Sequence, residues 1–139
     1  MREGLEPFLA RQAETHETAL AELCAGRKVT HWIWWELPQL RGLGRSPRAH
    51  DYGLEDLAEA EAYLAHPVLG PRLIEMCAAL LAHADKCAED ILGPVDAMKV
   101  RSTATLFAHV EAAPDVFRRL LETFYGGQAC AATEAEISL

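Results

Sequence analysis

Leu69-Gly70-Pro71-Arg72-Leu73-Ile74-Glu75-Met76-Cys77-Ala78-Ala79-Leu80-Leu81 sets the fold class of this chain. Leu69, Leu73, Met76, Cys77, Leu80 and Leu81 recur at intervals of three and four, the spacing of a helix with one buried side. The stretch predicts the central helix of an all-α domain. His66-Pro67 breaks the chain just before it, and upstream of that break Glu55 and Asp56 open a helix to about Ala65, where acidic groups suit the positive helix start. Downstream, Gly93-Pro94 is punctuation, Asp96 is placed to cap a helix to about Glu111, and a last helix runs from Pro114-Asp115 to Gly126-Gly127. Near the N-terminus Leu5, Phe8, Leu9, Gln12, His16, Leu20 and Leu23 share one helical face, which predicts a helix over roughly residues 3 to 25 that stops near Gly26. Thr30 is placed to cap a short helix that Pro38 ends, and Ser46-Pro47 reads as N-cap and first residue of another. Period-two β-branched runs and hairpin dipeptides are missing, so no sheet is expected. The reading is one orthogonal domain of about six to eight helices over residues 1–139.

Composition narrows the partners. The chain has 139 residues, enough for one domain to bury a core without a metal or disulfide staple. Its formal charge is −8, from 21 acidic against 13 basic residues, so the bulk surface repels nucleic acid and anionic lipid. Neither nucleic acid nor a membrane is expected as a partner. The charge is unevenly spread, since Arg27, Lys28, Arg41, Arg45 and Arg48 face only Glu36 within their segment, and that segment suits a small anion.

Cys24, Cys77, Cys87 and Cys130 lie far apart without a C-x-x-C pair, and the six histidines are scattered. Thiols are therefore expected, with no metal site and no cofactor. Glu3, Glu6, Glu14 and Glu17 stand where a signal peptide would be apolar, and no apolar run reaches the length of a membrane span. This places the protein in the cytoplasm.

All three tryptophans fall at positions 32, 34 and 35, beside His31. On a helix His31, Trp34 and Trp35 share a face, while Trp32 and Glu36 project roughly the other way. The rings are either core filler with satisfied indole N–H groups or include one that walls a cleft beside His31 and Gln39. Further along, Lys99, Ser102, Thr103, Leu106 and Val110 share a helical face that begins polar and ends apolar, so its polar end would border a cavity. A lysine early in a helix opposes the dipole, and an anionic ligand, a carboxylate partner or simple snorkelling to solvent would each account for it. The loop Arg41-Gly42-Leu43-Gly44-Arg45-Ser46-Pro47-Arg48 combines glycines, arginine forks and a helix start, which suit phosphate or carboxylate. It follows no strand and lacks the spacing of a dinucleotide or P-loop fingerprint, and it reads first as a solvated arginine-rich turn. His66 before Pro67 reads first as a satisfied helix-end side chain.

Several ordered motifs then match one family. His31-Trp32-x-Trp34, Pro38-Gln39-Leu40-x-Gly42-Leu43-Gly44-x-Ser46, Tyr52, Ala62-Tyr63-Leu64-x-His66-Pro67-x-Leu69-Gly70, Asp96-x-x-Lys99 and Ser102-x-x-Thr105-Leu106-Phe107 resemble the domain family of unknown function numbered eighteen-ten, found in bacteria and fungi. The resemblance covers about residues 5 to 127. It implies a mainly helical single domain and supplies no activity. This chain departs from the family pattern at Glu36, where the pattern usually continues apolar, and its tail after Gly127 looks shortened.

Together these readings select His31, Trp34, Gln39, Arg45, Ser46, His66, Lys99 and Ser102 as ligand-binding candidates, with His31, Trp34, Gln39, Lys99 and Ser102 expected around one cavity. The expected ligand is a small, nucleotide-like anion, with Trp34 stacking, Lys99 and Arg45 neutralising charge, and Gln39 and Ser102 hydrogen bonding. No motif selects a reaction; if there is chemistry, His31 is the acid–base candidate. The competing class is an interaction or homodimerisation module in which the aromatic segment meets a partner chain.

Overall fold

A computed structural model describes residues 4–44 and 46–138. Within them lie nine α-helices: α1 (Glu6–Cys24), α2 (Ile33–Glu36), α3 (Pro47–Tyr52), α4 (Leu57–Ala65), α5 (Leu69–Leu81), α6 (Ala88–Leu92), α7 (Pro94–Ala108), α8 (Val116–Phe124) and α9 (Ala131–Ile137), with a 3-10 turn at Arg41–Leu43. No strand occurs among the described residues; an isolated parallel bridge joins Leu40 to Leu54. The count exceeds the expected six to eight because α6 and α9 are short, and segments of five and seven residues carry too little periodicity to be read.

Local chemistry explains most boundaries. Gly26 takes the left-handed conformation that ends α1 (φ 79°). Ser46 Oγ accepts from Ala49 N at 3.1 Å with Pro47 as first helical residue of α3, and Asp56 accepts from Glu59 N at 2.9 Å to cap α4. Two expected caps differ. Thr30 is not the cap of α2, because its backbone and hydroxyl are taken by Glu22 and the helix starts after Trp32. Asp96 is not the cap of α7, because that helix begins at Pro94 and ends at Ala108, leaving Asp96 in its first turn.

Helices α5 and α7 form the middle of the domain. α5 packs on α1, α4 and α8, while α7 packs on α4, α6, α8 and α9. Their buried side chains join one contiguous apolar cluster in which Phe107 stacks on Phe117 at 5.3 Å and Tyr63 meets both Phe8 and Phe107. No single described helix is long and apolar enough to cross a membrane.

The motif from Ala62 to Gly70 builds a corner. α4 and α5 meet at 91°, and His66 Nδ1 accepts from Val68 N (3.1 Å) and Leu69 N (3.2 Å) at the start of α5. Gly70 lets the α5 backbone approach Leu64 O, which a Cβ at that position would meet at 2.1 Å. Backbone cannot yield as a side-chain tip can. Gly70→Ala should therefore force the corner open and cost roughly 1–3 kcal/mol or more, read as a lower urea midpoint at unchanged m-value; an unchanged midpoint would mean that the corner has slack.

Candidate functional site

The tryptophan segment is built around a carboxylate. Glu22 on α1 accepts from Val29 N (2.8 Å), Thr30 N (3.0 Å), Thr30 Oγ1 (2.6 Å) and Trp32 Nε1 (2.9 Å), which ties the turn between α1 and α2 to one side chain. Partial burial raises its pKa, but hydrogen bonds from Thr30, Val29 and Trp32 outweigh that and hold it at about 2. Trp32 is thereby fixed in the core, with Lys28 Nζ 4.9 Å from its ring. Trp35 is also buried, its indole donating to Thr15 Oγ1 at 2.9 Å. Trp34 alone of the three is half-buried, so Trp34 and Trp35 do not share an environment although they are adjacent.

Trp34, Gln39 and Lys99 come together. With Ile33, Leu37, Ala49, Tyr52 and Gly53 they line a crevice of about 10 Å³, room for about one water molecule. Beside it, and sharing Gln39 and Lys99, a wider groove of about 260 Å³ is bounded by Leu43, Val95, Met98, Ser102, Cys130 and Ala132. The outer groove is large enough for a small molecule, and the inner crevice is not.

Two cations bear on the Trp34 ring. Lys99 Nζ lies 4.7 Å from its centroid and Arg48 Cζ 5.1 Å, both within cation–π range. Lys99 also stands 3.6 Å from Asp96 Oδ1, whose other oxygen pairs with Lys28 at 2.9 Å. A carboxylate partner thus accounts for part of the early-helix lysine, and Asp96 is shared between two bases.

The remaining candidates fall elsewhere. His31 is exposed and lines neither crevice nor groove. Ser46 uses its oxygen to cap α3, and His66 uses Nδ1 to cap the α4–α5 corner, so both have structural work. Arg45 lies outside the described residues. Ser102 does border the groove, but its hydroxyl is buried in a 2.6 Å hydrogen bond with Thr133 of α9. Thr103, its neighbour on the polar face, bonds to Leu37 O at 2.9 Å, so that face borders protein more than cavity. The loop glycines serve close packing too: a Cβ on Gly44 would lie 2.2 Å from that of Ala49, and the 3-10 turn could not seat against α3.

Sequence reasoning did not find Arg48 over Trp34, nor the partner of Glu36. Glu36 is buried against His16 of α1, twenty residues away, with Nδ1–Oε1 at 2.8 Å. The helical stripe that placed His16 on the inward face of α1 was the available signal.

The family model described as Protein of unknown function (DUF1810) matches residues 2–137. The chain belongs to this family. The match extends past the expected end near Gly127 because the tail is an integral helix, α9, whose Thr133 is buried against α7. Among solved structures, the family member is similar to the conserved hypothetical protein Rv1873 from Mycobacterium tuberculosis, with 43% identity over 97% of this chain and 96% of that one and a TM-score of 0.95. A comparison with curated proteins finds no match.

The separate environments of Trp32 and Trp34 lead to an expected outcome. Trp32→Ala should cost roughly 3–5 kcal/mol as a core truncation, whereas Trp34→Ala should cost clearly less. Denaturant melts of the two variants check this, and equal losses would contradict the division.

Proposed function

We propose that this protein binds a small anion of nucleotide-like form in the groove lined by Gln39, Leu43, Val95, Met98, Lys99 and Ala132. The observation that supports it is the pair of cations, Lys99 and Arg48, gathered on one half-exposed tryptophan of a chain whose net charge is −8. Both cations lie against one ring, and Lys99 also lines the groove, where an anion would draw it directly. This differs from simple base stacking on Trp34, since cations already contact the ring. Gln39 supplies a hydrogen-bonding amide, and Leu43, Val95 and Met98 offer apolar contact to the rest of the ligand. The described residues lining the groove include no imidazole, so the reading is binding rather than acid–base catalysis by His31. Four free thiols suit a reducing cytoplasm.

Val95 and Met98 are 64% and 73% exposed beside the groove, and they favour a second reading in which a partner chain or a second copy covers that rim. Light scattering across a concentration series separates the two, since self-association would appear as a rising mass that Met98→Glu abolishes.

The first reading is tested by a thermal-shift screen of anionic metabolites, because a ligand that binds only the folded chain raises the midpoint. Lys99→Met should leave the fold intact and weaken a hit by about 1.5–3 kcal/mol, the scale of a charge-assisted hydrogen bond. Calorimetry measures it. Unchanged affinity, or a hit that proves neutral or cationic, removes the electrostatic basis of the proposal.

A further inference from the structure

Both ring nitrogens of His16 face carboxylates. Nδ1 lies 2.8 Å from Glu36 Oε1 and Nε2 lies 3.1 Å from Glu75 Oε1. A neutral imidazole has one N–H and one lone pair, and an ionised carboxylate only accepts, so one of these contacts would set lone pair against lone pair. One additional proton, on the ring or on a carboxyl, turns both into hydrogen bonds. The Glu36 side chain has 0% exposure and His16 has 12%, whereas Glu75 reaches solvent at 55%. The second Glu36 oxygen accepts from Thr15 Oγ1 at 2.8 Å, and that hydroxyl also accepts from the Trp35 indole. The cluster therefore runs from the floor of the tryptophan segment to the surface.

We propose that Glu36, His16 and Glu75 hold one proton in common, and that this proton locks α2, with its tryptophans, against α1 and α5. The charges agree. Arg72 on α5 acts electrostatically on Glu36 and donates to Gln12 Oε1 at 3.4 Å. With the proton in place, two carboxylates face two cations, His16 and Arg72; without it one negative charge is left over around a carboxylate that water does not reach. The other titratable or charged groups facing this region are Arg11 of α1, whose guanidinium lies 4.8 Å from the Trp35 centroid, Arg48 and Tyr52 of α3, and Tyr63 of α4. Burial pushes the Glu36 carboxyl above its ordinary value, against opposing pulls from His16, Thr15 and Arg72. The lock needs no ligand in the groove.

The sign follows from linkage. In the unfolded chain a histidine releases its proton near pH 6.5 and a glutamate well below that, each at about its free value, so a folded chain that keeps the shared proton above that range holds one more than the unfolded chain. The stabilisation is complete below the unfolded value and is lost as pH rises through the folded one. Urea melts of the full chain between about pH 6.5 and 9 should show the folding constant falling by up to about tenfold per pH unit. Native-state tryptophan emission should shift over the same range, since all three tryptophans lie in this segment. Glu75→Gln removes the outer carboxylate at an exposed position, keeps the fold and should flatten both responses. Equal slopes in wild type and Glu75→Gln, or a flat wild type, overturn the proposal. So does nitrogen NMR showing His16 neutral with a bare Nε2 at pH 7.5 while Glu36 is ionised; a doubly protonated ring or a protonated Glu36 supports it.

Discussion

From Ser102 to Phe107 helix α7 has no solvent face, and the domain is arranged around that fact. Every residue from Ser102 to Phe107 is buried, so neighbours must enclose the helix on all sides, and α4, α6, α8 and α9 do so. Enclosure would be costly for its three hydroxyls if they were left without partners. Instead they tie α7 to two other parts of the chain. Ser102 meets Thr133 of α9, Thr103 meets the carbonyl of Leu37 just after the tryptophans, and Thr105 accepts from Cys130 N at 2.8 Å. Arg101 adds two hydrogen bonds to the carbonyls of Gln128 and Ala129. The polar residues of α7 thus specify which segments surround it, and the apolar ones supply the driving force.

This arrangement explains which parts of the architecture were legible in the sequence. One-sided helices announce themselves, and α1 and α5 lie close to where periodicity puts them, as α4 and α8 lie close to where their start and stop residues put them. α7 was legible as a helix but not as an enclosed one, because a single-face reading of Lys99, Ser102, Thr103, Leu106 and Val110 passes over Val100, Ala104 and Phe107, which are equally buried. Periodicity reports contrast, and a helix surrounded by protein has little. α9 was not legible at all: its one buried residue is Thr133, whose partner is 31 residues away, and Ile137 packs on the core only partly buried.

The candidate site divides along the same line. Trp34, Gln39 and Lys99 were identifiable as residue types out of place in a plain amphipathic pattern, and the fold brings them together. Ser46 and His66 were equally conspicuous, but for a local reason, since each supplies the acceptor that a helix start lacks. Capping is decided within three residues. Sequence could therefore flag these side chains without telling a joint from a site. Glu36 posed the opposite problem, because its role depends on His16 and Glu75, which no local pattern links to it.

Many of the family motif residues sit at joints, and this bears on how such motifs are used. The Ala62–Gly70 stretch is a right-angle corner, Gly44 seats a turn on a helix, and Thr105 receives the chain entering α9. A pattern of that kind follows from the fold and says nothing about a ligand. Trp34, Gln39 and Lys99 are different, because their side chains cap no helix and relieve no close backbone approach. The cations on Trp34 lie against a partly exposed ring, and one of them, Lys99, lines an outer groove that the exposed Val95 and Met98 also border. Folding alone does not call for charge concentrated at a surface groove of an acidic protein, and it is this surplus, rather than the density of tryptophans, that makes the groove the place to look for function.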